Sequence, residues 1–203
     1  MVDGVGAGSA VHMLVWNDFL NDARVLKEAE TLQLSGYKVV VHAVHYPGKT
    51  LSHQVLNSGI TVRRAPLSPF AVLRNDNHSI QHKTPLALQL CMRLWAHMVM
   101  VLRLCITKPD VIHAHDVNML PTAWLAAKLS GAQVVYDAHE ISTSREGYSR
   151  VRKLVGWIER ALMPRVQGTI TTTEARAKYF ARAYGIARPV VLQNRPREQQ
   201  AMR

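Results

Sequence analysis

Cysteine, aromatic residues and acidic residues are all scarce in this chain, and each scarcity excludes something. Cysteine occurs twice, at Cys91 and Cys105, within one apolar run. On a continuous helix that separation is about 21 Å at about 1.5 Å per residue, too far for a disulfide. No Cys-x-x-Cys spacing is present, which excludes a cysteine-built zinc or dithiol redox centre. The two cysteines read as buried thiols of a reducing compartment. Aromatic residues make up 6% of the chain. With no recognised nucleic-acid motif, that leaves basic charge alone to argue for nucleic acid, and charge alone is a weak argument.

Other features are absent altogether. The loop after the first apolar strand, NDFLNDAR (17–24), contains no glycine. A dinucleotide-binding oxidoreductase needs glycine there so that the backbone can approach a pyrophosphate. Neither a Gly-x-Ser-x-Gly elbow nor a Walker loop occurs. The opening MVDGVGAGSA has no basic start and no apolar core. It reads as a flexible tail over 1–10 and not as a signal peptide. There is no internal repeat and no low-complexity segment.

What is there is a globular chain of 203 residues with 48% hydrophobic content, enough for one domain, read here as 11–196, with a short tail or linker start over 197–203. Its 14 acidic residues are set against 25 Lys and Arg. The imbalance is local. Residues 1–140 carry 12 basic and 10 acidic groups, whereas 141–203 carry 13 and 4. A basic end favours an acidic partner such as a phosphate or an anionic membrane; a solvated helical face gives the same pattern.

Short apolar runs alternate with helical patterns. Strands are predicted at 11–16, 37–44, 59–65, 110–114, 132–138, 168–173 and 189–194, and helices at 22–36, within 80–108, and at 119–131, 149–163 and 174–185. Asn21 or Asp22 can cap the first helix, and Gly36 stops it. Strand–helix alternation with uninterrupted β-branched strands predicts an α/β fold, an open parallel sheet with helices on both faces. The helix near 86–105 is apolar enough to suggest a membrane span. Gln89, Arg93, His97 and Arg103 fall on one side of it, and a span tolerates such groups poorly at its centre. It is read as a helix packed on the sheet with a polar outer stripe. A peripheral membrane contact is the alternative.

Ligands of such sheets bind beyond the carboxyl ends of the strands. The residues there are Asn17 and Asp18; His113, His115 and Asp116; Asp137, His139 and Glu140; and Thr172, Thr173 and Glu174. Ionisable groups thus recur along one edge. His113 and His115 point to the same face of their strand; His113 lies deeper and reads as a core histidine, His115 lies at the rim. Imidazoles and carboxylates at such an edge bind hydroxyls or accept protons. A metal is another use for them, but His-x-His is a weak metal signal, and with nothing else to complete a site no metal is expected.

Three segments together carry a resemblance: NDFLNDARVLKEAETLQLSGYKVVVHAV, KPDVIHAHDVNMLPTAWLAAKLSGAQVVYDAHE and GTITTTEARAKYFARAYGIARPVVLQNRP. They resemble the N-terminal half of retaining glycosyltransferases of the GT-B fold, family GT4, over nearly all of 11–196. The resemblance implies a Rossmann-like acceptor domain, a nucleoside-diphosphate sugar as donor, and no cofactor. It implies His115 at the reacting centre and an acceptor pocket of Asn17, Asp18, Asp116, His139 and Glu140. Asp22 and Arg24 would hold the loop and the start of the first helix. In such enzymes Asn-x-Pro, here Asn194–Pro196, leads into a donor-binding domain. The sequence ends at VLQNRPREQQAMR, so the expectation is a half that is inactive until that domain is supplied in cis or in trans. The acceptor would be a glycan or a lipid-linked substrate. The location would be cytoplasmic, with the inner face of a membrane as an attachment surface. The face that meets the second domain favours a weak homodimer. Two alternatives are a non-catalytic scaffold subunit of the same fold and half of a nucleotide-sugar epimerase. Nucleic-acid binding is not expected.

Overall fold

The computed structural model describes residues 6–69, 85–141 and 152–194. The strands are β1 (Ala10–Leu14), β2 (Lys38–His45), β3 (His53–Val55), β4 (Thr61–Pro66), β5 (Val111–His115), β6 (Gln133–Ala138), β7 (Gly168–Thr171) and β8 (Val190–Val191). The α-helices are α1 (Ala23–Leu34), α2 (Leu86–Thr107), α3 (Asp116–Ser130), α4 (Arg152–Leu162) and α5 (Glu174–Tyr184). They build an eight-stranded sheet of order β3-β4-β2-β1-β5-β6-β7-β8. All pairings are parallel except β3 with β4. Strand numbering runs away from β1 on both sides, so the topological switch point lies between β1 and β5, where ligands of open α/β sheets bind.

Strand alternation sorts the core into two layers. Val11, Met13, Val39, Val41 and Val111 pack with Val25 and Ala29 of α1. On the opposite face, Leu14, Val44, Ile112, Ala114, Val134 and Tyr136 pack with residues of α2, α3 and α5. His113, His115 and Asp137 therefore belong to the α1 face, and His12 and His42 to the other. The segment entering β1 is tied in: the Gly8 N–H donates to the Gly36 carbonyl at 2.8 Å, and the Ala10 N–H to Asp110 Oδ2 at 2.7 Å. Residues 1–5 and 197–203 of the expected tails, and 195–196 of the expected domain, lie outside the described residues.

Three expectations are corrected. The helix within 80–108 begins, among the described residues, at Leu86, and its polar side faces out only in part: Gln89 and Arg93 are exposed, whereas His97 and Arg103 are half-buried. The Arg93 guanidinium lies 5.0 Å over the Trp16 ring, His97 stacks on Trp16 at 4.4 Å, and Arg103 donates to the Arg64 carbonyl at 3.0 Å. Beside Gln89 and Arg93, α2 exposes a ridge of every fourth residue: Leu86, Leu90, Leu94, Met98, Leu102 and Ile106. Cys91 and Cys105 are free, but Cys91 is exposed and Cys105 half-buried. The helix expected from 119 starts three residues earlier, at Asp116, with Pro121 in its second turn. The 149–163 helix is seen from Arg152; residues 149–151 lie outside the described ones.

Three histidines on the α2 face are held neutral. Burial, with Arg63 nearby, pushes His12 down to about 4; burial, with Arg93 nearby, does the same to His97. Burial and then His12 hold His42 well below its ordinary range; the two rings pair at 3.1 Å. Between the ordinary value of 6.5 and about 4, the unfolded chain takes up protons that the folded one refuses. The stability from a neutral histidine is thus complete above 6.5 and lost as pH falls toward 4. Between pH 7 and pH 5, the melting temperature of His97→Gln should fall about 2–5 °C less than that of the parent chain. The difference isolates this one residue; parallel curves would mean that His97 is not held neutral.

Candidate functional site

The loop leaving β1 is built by its own polar side chains. Asn17 Oδ1 accepts from the Phe19 N–H at 2.8 Å, and Asn17 Nδ2 donates to Asp22 Oδ2 at 2.7 Å. Asp22 caps α1, accepting from the Val25 N–H at 3.1 Å. Asp18 pairs with Lys49, which with burial working against it holds the carboxyl below its usual range. Its carbonyl accepts from Arg64 Nε at 2.8 Å. This loop turns the first helix so that Arg24 and Glu28, one turn apart on α1, lie against the sheet.

There they meet β5 and β6. His115 and Asp137 are directly paired across those strands. Asp137, fully buried, is the hub. Its Oδ2 accepts from Arg24 Nη2 at 2.7 Å and Nε at 3.2 Å, and lies 3.1 Å from His139 Nε2. His139 Nε2 is also 3.3 Å from His115 Nδ1, and His139 Nδ1 is 3.7 Å from Asp116 Oδ1. Arg24 Nε is 3.1 Å from Glu28 Oε1, and Glu28 Oε2 is 4.0 Å from His113 Nε2. Arg24 Nη1 donates to the Leu192 carbonyl at 2.9 Å, and Lys27 to Asn194 at 3.1 Å, so α1 also holds the segment after β8.

Depth divides this network. His113 and His115 are 5% and 3% exposed, whereas the side chains of His139 and Asp116 are 21% and 32% exposed. The group that reaches the surface is therefore His139, with His115 behind it. Backbone strain sits here too: Asp116, at the β5–α3 junction, has φ 63°, and Phe19 in the β1 loop φ 52°. Such non-glycine conformations persist only where surrounding contacts fix them.

The electrostatics follow from the same contacts. Burial would raise Asp137, but the His139 bond and the charges of His139, His115 and Arg24 outweigh it and hold the carboxyl well below the usual range. Burial works against a charged His139, and the bond and charge of Asp137, with Asp116, prevail, so its pKa is raised. Burial, reinforced by the charge of Asp137 and opposed by Arg24, pushes Glu28 up to about 8. Burial, opposed by Asp137, takes His113 down to about 4, and burial with His113 beside it holds His115 well below 6.5.

The remaining edge residues play supporting parts. Thr172 donates to the His139 carbonyl at 3.2 Å, and Arg176 donates to the same carbonyl at 2.7 Å, fixing the exit from β6. Thr173 caps α5, and Glu174 pairs with Arg188. Glu140 is exposed at the edge. The structure thus brings His113, His115, Asp116, Asp137 and His139 together, leaves Asn17 bonded within its own loop and Asp18 paired with Lys49 and Arg64, and adds Arg24 and Glu28 from α1. Glu28 was not singled out in the sequence. Its only signal is the four-residue spacing from Arg24, which also describes an ordinary surface ion pair.

A parallel sheet whose ionisable groups gather at the switch point has the arrangement in which open α/β folds bind ligands. The chain belongs to the glycosyl transferase 4-like domain family, which it matches over residues 22–195, and it is a GT-B-fold glycosyltransferase domain. No curated protein matches it by sequence. Among solved structures, it superposes on sucrose-phosphate synthase from Thermosynechococcus elongatus with a TM-score of 0.68 at 10% identity, covering 91% of this chain and 48% of that one. Anabaena HepE, solved with UDP-glucose, gives 0.59 at 16% identity, with 92% and 44% covered. A glycosyltransferase from Rickettsia africae gives 0.55 at 12%, with 92% and 43% covered. The chain spans about half the length of each of these proteins.

Proposed function

We propose that this chain is the acceptor-binding half of a retaining, nucleotide-sugar-dependent glycosyltransferase. The observation that carries the reading is His139. It is the solvent-reaching tip of a buried ionic network, at the switch point of a lobe of this family. His139 and Asp116 would hold the acceptor hydroxyl, with Glu140 and the Asn17–Asp18 loop lining the approach. His115, one layer behind, would position His139 rather than touch the hydroxyl. The donor, a nucleoside-diphosphate sugar of the kind bound in HepE, would be held by a second domain in cis or in trans, which closes the cleft against water.

The test is nucleotide release from a panel of UDP-sugars, by the chain alone and by the chain joined to a family donor domain. The chain alone should give none, and the joined protein should turn over. His139→Ala in the joined protein should lower kcat/KM about tenfold to a hundredfold, the worth of one hydrogen bond to a charged group. Undiminished turnover in that variant would place the acceptor elsewhere.

A membrane contact is the second part of this reading, and the ridge on α2 favours it. The helix has 22 residues and is apolar enough to cross a bilayer. Yet it buries Ala96, Met100 and Leu104 in the core and carries Arg93 and Arg103, so it lies on a surface rather than spanning one. Neighbouring α3 and α4 extend the apolar face with Leu125, Leu129, Leu154 and Trp157. Exposed Lys128, Arg152, Lys153 and Arg160 on these helices suit anionic headgroups.

A further inference from the structure

Beneath the His139 rim lies a cluster of which the transfer reading uses only His115 and Asp137, and these only to hold His139. Glu28, His113, His115 and Asp137 each bring one nitrogen or oxygen to within 4.8 Å of the others. The side chains are 10%, 6%, 3% and 0% exposed. Glu28 Oε2, His113 Nε2, His115 Nε2 and Asp137 Oδ1 are closed off from solvent and have no hydrogen-bond partner among the described residues, and buried Glu28 Oε1 has the ion pair with Arg24. So many unsatisfied buried acceptors are costly together. A surface cluster of carboxylates would be balanced by water; this one is walled by α1 on one side and by β5 and β6 on the other.

We propose that Glu28, His113, His115 and Asp137 form a closed binding site for one first-row divalent metal ion, of the zinc type. Two imidazoles and two carboxylates are a donor set that such ions accept. Tetrahedral donors around a bond of about 2.0–2.1 Å stand about 3.4 Å apart, so the outermost atoms must each move by about 0.7 Å. The outer contacts are of the kind that orient metal ligands. Arg24 grips Asp137 by Oδ2 and leaves Oδ1 without a partner. His115 turns Nδ1 toward His139 and Asp137 and leaves Nε2. Arg24 neutralises the Asp137 charge, and the ion would answer that of Glu28 on displacing its proton. All four donors are interior, so the ion would be structural. It would join α1 to β5 and β6 and so fix the floor on which His139 stands. The inference does not depend on which reaction the rim serves.

The chain should be unfolded in urea with a chelator, then refolded with ZnCl2, with CoCl2, or with neither. Refolding lets the ion enter a closed site. We expect about one zinc per chain after gel filtration, a melting temperature at least about 5 °C above the metal-free sample, and visible Co(II) bands in the cobalt sample. Glu28→Gln, which keeps the shape of the side chain, should lose the bound zinc and the temperature shift while refolding to the same circular dichroism spectrum. Zinc held equally by Glu28→Gln would mean binding at other histidines and overturn the proposal. So would a parent chain that refolds without metal uptake, Co(II) bands or a shift. In that case a proton between Glu28 and Asp137 balances the cluster instead.

Discussion

Asp137→Ala should lower the unfolding free energy by about 3–5 kcal/mol, the scale for breaking a buried ion pair from one side. The carboxylate is fully buried and is the bonded partner of Arg24 Nε and Nη2. Its removal leaves a guanidinium, 9% exposed, beside Glu28 and one carbonyl. It also releases His139 from its anchor and, on the metal proposal, one ligand. A urea denaturation curve reads the loss. The companion measurement is the double variant Arg24→Met, Asp137→Leu. Replacing both charges by apolar groups of similar bulk removes the stranded ion, so it should recover at least half of the loss. If Asp137→Ala costs less than about 1 kcal/mol, water reaches the network and the charges are not truly desolvated.

The single-variant cost bears on function because Arg24 joins two regions. One end holds the Asp137 hub, and the other holds the Leu192 carbonyl, close to where Asn194–Pro196 follows. In the proposed enzyme that segment leads to the donor domain. An acceptor rim and an interdomain segment fastened to the same guanidinium would keep a fixed relation as the lobes close.

How much of this could be read in the sequence depends on the range of the interaction. The parallel strands were legible because strands buried on both faces are written as continuous apolar runs. β3 left no such trace. It is three residues, His53–Val55, exposed or half-buried on an antiparallel edge. The start of α3 was misplaced because a proline is normally welcome only in a first turn, and Pro121 stands in the second. The edge residues of β5 and β6 were legible because topology alone puts them beyond the strand ends. Depth was not. Whether His115 or His139 meets solvent is set by the His115–Asp137 register and by α1 above them, both long-range facts. Glu28 needed the same information, since its carboxylate approaches residues 85 and 109 positions away in the chain.

The α2 ridge is the clearest case of a pattern whose orientation the sequence shows only in part. Periodicity identified a polar side, and polar sides usually face water. Here Trp16, Thr122 and the Arg64 carbonyl draw His97 and Arg103 inward, and leucines share the outside with Gln89 and Arg93. We expect the triple variant Leu94→Gln, Met98→Gln, Leu102→Gln to bind phosphatidylglycerol-containing vesicles about 100-fold more weakly than the parent chain. Full burial of each side chain would be worth about 1.5–3 kcal/mol, and insertion at an interface realises part of that. Vesicles of phosphatidylcholine alone should bind the parent weakly, and added salt should weaken its binding to the anionic ones, because the cations on α3 and α4 supply about 1 kcal/mol each near an anionic surface. Cosedimentation reads all three results. A triple variant that binds as well as the parent would remove α2 from the contact. A parent chain that ignores vesicles but sediments as a dimer, which the variant breaks, would assign the ridge to a second copy of the chain.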